Sequence, residues 1–134
     1  MVRTKLPSFL FVDQDPQWLA ALRRASRDLP GPKHFARSAE EAMDLLRAHE
    51  PAVVVSGYGL PEEDGLSLLE RMKEEDPRVA CVLHTAHPPR LLPGTRGIAL
   101  VEKGTAPGML QAVLNALWVA LTGRSPTSVQ RYLM

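Results

Sequence analysis

Ser8-Phe9-Leu10-Phe11-Val12-Asp13-Gln14-Asp15-Pro16 is the stretch that decides the fold. Its apolar run shows no alternation and stops at an acidic residue, the pattern of a strand covered on both faces whose carboxyl end meets water. Three more runs repeat it: Ala52-Val53-Val54-Val55, Val79-Ala80-Cys81-Val82-Leu83 and Ile98-Ala99-Leu100-Val101. A weaker one, Lys33-His34-Phe35-Ala36, lies between the first two and reads as an edge strand. With helical patterns in between, the order βαβαβαβαβ predicts an open, doubly wound parallel sheet of five strands.

The helices carry readable punctuation. Asp15 is placed to cap the first, Pro16 takes a position with no hydrogen bond to lose, and Trp18, Leu22, Ala25 and Leu29 share one face. Ser38-Ala39-Glu40-Glu41 reads as a capping box in which Ser38 and Glu41 satisfy each other's backbone donors, ahead of Met43, Leu45 and Leu46. After Asp64-Gly65 the third helix buries Leu66, Leu69 and Met72 and solvates Glu70, Lys73 and Glu74. Between Thr85 and Gly97, three prolines and a Pro-Gly pair predict a shortened or missing fourth helix. The fifth starts near Thr105-Ala106-Pro107 and ends at Gly123, with Gln111, Asn115 and Thr122 as its one narrow polar stripe. Residues 1–123 are expected to form one domain, and 124–134 a tail or the start of a linker.

The 134 residues are 45% hydrophobic and 23% charged, which fits one globular domain and not two. A formal net charge of +1 provides no global field toward nucleic acid or membranes. The single cysteine, Cys81, lies in an apolar run, so neither an internal disulfide nor a cysteine zinc site is expected, and the natural compartment is the reducing cytoplasm. Neither Phe9–Val12 nor Ala112–Leu121, which contains Asn115, is long enough to cross a membrane.

From Ser8 to Gly123 the chain resembles the receiver domain of bacterial two-component response regulators, a flavodoxin-like fold. Five motifs in order carry the resemblance: Val12-Asp13-Gln14-Asp15-Pro16, Val55-Ser56-Gly57-Tyr58-Gly59-Leu60-Pro61, Asp64-Gly65-Leu66, His84-Thr85-Ala86 and Glu102-Lys103. The resemblance implies a pocket built from Asp13, Gln14, Gly57, Thr85 and Lys103. It also implies a phosphoacceptor aspartate after the third strand, where Gly57 stands, and a magnesium ion held in part by two acidic residues after the first, where Asp13 is followed by Gln14. Gly104 replaces the proline that commonly follows the lysine, and Leu100 stands at the switch position where an aromatic is common.

A degenerate receiver is therefore expected: no catalysis, no cofactor, no bound metal, and action by contact with a protein partner or output domain. Asp13 facing Lys103 makes the pocket neutral without metal or phosphate, consistent with a single locked state. The alternatives are phosphorylation at Ser56 or Asp15, and a flavodoxin-like small-molecule binder, which the absence of a glycine-rich loop after the first strand disfavours. A metal site on His84, His87 and Asp13 is read as less favoured than surface histidines. The broad apolar arc of the fifth helix predicts a homodimer or output-domain contact through Gln111, Leu114, Asn115, Trp118 and Val119. No direct binding of nucleic acid or membrane is expected.

Overall fold

The computed structural model describes residues 6–86, 97–104 and 108–123. In chain order these form β1 (Phe9–Val12), α1 (Pro16–Ala25), β2 (Lys33–Ala36), α2 (Ala39–His49), β3 (Val53–Ser56), α3 (Gly65–Glu75), β4 (Ala80–Thr85), β5 (Ile98–Glu102) and α4 (Met109–Thr122). The strands make one parallel sheet in the order β2-β1-β3-β4-β5, the doubly wound flavodoxin-like arrangement that the apolar runs predict. The segment expected to hold a shortened fourth helix, His87, Thr105–Pro107 and the tail all lie outside the described residues. The expected fifth helix is α4.

Unalternated strands are explained by two cores. Side chains alternate across a strand, so Leu10, Val12, Val54 and Leu83 pack beneath α2 and α3. Phe9, Phe11, Val53, Val55 and Val82 take the opposite face beneath α1 and α4. Asp15 caps α1 by accepting from the Gln17 amide, and Asp64 caps α3 by accepting from Ser67. Ser38 accepts from the Glu41 amide, but the Glu41 carboxylate accepts from the Arg37 amide one residue short of the expected box. In α3, Leu68 is fully buried and Leu66 only partly.

The interface expectation for Leu114 and Trp118 is overturned. Both are fully buried, and the Trp118 ring stacks 6.5 Å from that of Phe9. A helical wheel shows how wide an apolar arc is but not which part the sheet covers, and here the sheet covers the arc that holds the largest side chain. Trp118→Ala should accordingly cost about 3–5 kcal/mol of folding stability. Urea unfolding should show a lowered midpoint at unchanged m-value, the mark of a lost core side chain.

Candidate functional site

In a doubly wound sheet the carboxyl ends of the strands gather at one edge, and Asp13, Gly57, Thr85 and Lys103 all stand there. The ladder continues past the strands and fixes their backbones. The Asp13 amide donates to the Ala36 carbonyl at 3.0 Å, the Gly57 amide to Val12 at 2.8 Å, and the Lys103 amide to Thr85 at 2.8 Å.

Lys103 Nζ lies 2.8 Å from Asp13 Oδ2, with the lysine side chain 12% and the aspartate side chain 4% exposed. The other carboxylate oxygen, Oδ1, accepts from the Asp15 amide at 3.0 Å, which fixes the orientation of the carboxyl group. Gly57 lies directly against it: a Cβ built on Gly57 would stand 2.7 Å from Asp13 Oδ2. The loop beyond is equally tight. Gly65 donates to the Tyr58 carbonyl at 2.6 Å, and a Cβ on Gly65 would fall 1.8 Å from the Gly57 carbonyl oxygen, so only glycine fits. Ser56 is fully buried, its hydroxyl donating to the Gly57 carbonyl.

Gln14 takes no part in the Asp13–Lys103 pair, and its Nε2 lies 3.9 Å from where a Cβ on Gly59 would stand. The Gln14 carbonyl accepts from the Arg37 guanidinium, at 3.2 Å from Nη2, and its side chain is exposed. Thr85 is buried beside the pair, and Leu100 on β5 is 40% exposed.

Two residues of the site were not legible from the sequence. Trp18, expected on the core face of α1, is half-buried, and its ring lies 4.8 Å beneath Lys103 Nζ in a cation–π contact. Its edge meets the His84 ring at 5.4 Å and 87°. His84 is buried at 2% exposure, not a surface residue, and its Nδ1 has no hydrogen-bond partner. Burial, reinforced by the Lys103 charge and opposed by Asp13, pushes the His84 imidazole down to about 4. The only available signal was position, since an aromatic in the first turn after a strand-end aspartate stands over the strand ends.

Magnesium does not suit this donor set. It needs near-octahedral oxygen ligands, usually with one or two carboxylates. Here Asp13 is already paired with an ammonium, Gln14 offers a neutral amide in place of a carboxylate and Gly57 has no side-chain ligand. Among the described residues no group of three or more His, Cys, Asp or Glu could hold a metal.

A doubly wound sheet with an acidic residue and a lysine converging at its carboxyl edge belongs to the flavodoxin-like class of α/β domains, and comparison with known proteins narrows it. Residues 9–103 match the response regulator receiver domain family, and the chain belongs to it. It is 33% identical to the receiver domain of an HD domain-containing protein from Pseudomonas fluorescens, with a TM-score of 0.75 over 87% of this chain and 95% of that one. It is also 34% identical over 79 residues to the C4-dicarboxylate transport transcriptional regulatory protein DctD of Pseudomonas aeruginosa. A third relative, the DNA-binding transcriptional regulator NtrC of Proteus hauseri, is 41% identical over 56 residues. The matches cover 58% and 40% of this chain but only 17% and 12% of those two regulators.

The low imidazole value makes the site acid-sensitive. A folded-state value below that of the unfolded chain means that stability is complete above pH 6.5 and is lost as the pH falls toward 4. His84→Phe should remove on the order of 2 kcal/mol of that loss, measured as the difference between the two proteins' urea midpoints at pH 7 and pH 4.5.

Proposed function

We propose that this chain is a receiver that does not use aspartyl phosphorylation, catalyses no reaction of its own and signals by protein contact. The observation that carries this reading is Gly57: the position where the family's phosphoacceptor is expected has no nucleophile, and the Asp13 carboxylate lies within the space that a side chain there would need. With Lys103 on Asp13 the pocket is neutral, so the repulsion between clustered carboxylates that makes a receiver responsive to cations is gone.

The other readings have less support. Ser56 is buried with its hydroxyl engaged, and Asp15 is spent on capping α1. A small-molecule binder of this fold uses the crevice at the carboxyl ends, where Asp13, Lys103 and Trp18 are engaged with one another. A groove of about 960 Å³ lies instead at the opposite end of the sheet, between Pro7, Pro32 and Pro51.

Incubation with acetyl phosphate and magnesium should leave the intact mass unchanged, and a stoichiometric acid-labile adduct would overturn the reading. Gly57→Asp with Gln14→Asp should bring back magnesium-dependent thermal stabilisation, with Gly57→Asp alone binding more weakly. A folded double variant indifferent to magnesium would show that more than the acidic residues has changed.

The partner surface is proposed on β5 and α4. All the exposed large hydrophobics among the described residues lie there: Leu100, Met109, Val119 and Leu121. Helix α4 contains no charged residue, and Met109, Ala112, Ala116, Val119 and Ala120 form its outward stripe opposite Leu114 and Trp118. Gln111 and Asn115 border that stripe. A second copy of the chain or an output domain is the proposed occupant, and the transcriptional regulators among the relatives favour such an output. Val119→Glu should lower the sedimentation mass at micromolar concentration without altering circular dichroism. A wild-type chain that sediments as a monomer would exclude the second copy.

A further inference from the structure

We propose that Trp18 and His84 are positioning residues that cage the Lys103 ammonium on Asp13, making the lysine a built-in counter-ion in the place where a receiver would take a metal and a phosphoryl group. The inference rests on the phosphorylation-independent reading and says how the pocket is held in one state.

An ammonium has three donors and no acceptor, and buried it is stable only if its surroundings answer them. Asp13 Oδ2 answers the charge as an ion pair at 2.8 Å. The Trp18 ring face, 4.8 Å from Nζ, answers on a second side with the negative lobe of its quadrupole. His84 is the third element by way of the ring: its buried imidazole meets the same indole edge-on at 5.4 Å and braces it, its own Nδ1 having no hydrogen-bond partner. Burial and the Lys103 charge hold the imidazole neutral, so it brings no second cation to the lysine's surroundings. The geometry is also directional. Asp13 is held through Oδ1 by the Asp15 amide, Lys103 through its own amide by Thr85, and Trp18 by the first turn of the capped helix α1. Each part of the cage is thus anchored on a different element, and the lysine cannot withdraw without stripping its charge of carboxylate and ring together.

The cage predicts what acylation of lysine will see. The chain has four lysines, Lys5, Lys33, Lys73 and Lys103, whose acetylation by an N-hydroxysuccinimide ester can be followed peptide by peptide. In the folded full chain, Lys103 should react far more slowly than in urea. Trp18→Leu, which fills space but has no ring face, should speed its labelling about tenfold, the scale of a desolvated cation–π contact. Trp18→Phe should retain most of the protection, and Lys33 and Lys73 should be unchanged in both variants. Wild-type Lys103 labelled as fast as in urea would overturn the cage, and so would Trp18→Leu protecting it as well as tryptophan does. A phosphoryl adduct on the wild-type chain would defeat the phosphorylation-independent reading, whereas a fast-labelled Lys103 with no adduct would defeat the cage alone.

Discussion

A lysine delivered by the edge strand β5 neutralises an aspartate at the end of the interior strand β1, and the carboxyl edge of the sheet is organised around that pair. Three strand spacings, about 14 Å, separate the two strands, so the side chain must lie across the ends of β3 and β4 to reach its partner. Gly57 keeps the route open, since even a Cβ there would press on the carboxylate. A buried pair of this kind adds little net stability over an apolar one, but breaking it leaves a charge without water or partner.

What was legible in the sequence was whatever local chemistry determines. The β runs, the Asp15 and Ser38 caps and the Asp64-Gly65 start of α3 follow from short-range rules of burial, capping and steric freedom, and they stand where those rules put them. The order of acidic, glycine, threonine and lysine residues at successive strand ends was legible too, because a parallel sheet must gather those ends. Trp18, His84 and Trp118 were not. Each is an apolar or ambiguous residue whose role depends on which neighbour a distant segment brings. Periodicity places Trp18 on the same face as Leu22, yet helix α1 starts early enough that its first turn overhangs the strand ends and meets Lys103 instead.

Helix α4 shows the same limit from the other side. Its sequence is apolar nearly all round, which predicts a helix buried on more than one face. The sheet covers one face with Leu114 and Trp118, and the alanine stripe with Val119 is left outward. Gly65 illustrates a constraint that composition hides altogether: its value lies in the 1.8 Å between a would-be Cβ and the Gly57 carbonyl, which ties the loop after β3 to the start of α3.

Among the described residues strand β5 pairs only with β4, whereas β1 through β4 already form a continuous sheet with α1, α2 and α3 packed on it. Strand β5 is held there by five residue pairs with β4, and α4 adds Leu114 and Trp118 to the core. Sheet margins of this type are where native proteins breathe, opening at a free-energy cost well below that of global unfolding. Because this margin carries Lys103, any opening of β5 would uncover Asp13 with it, and amide exchange along β5 would time that event.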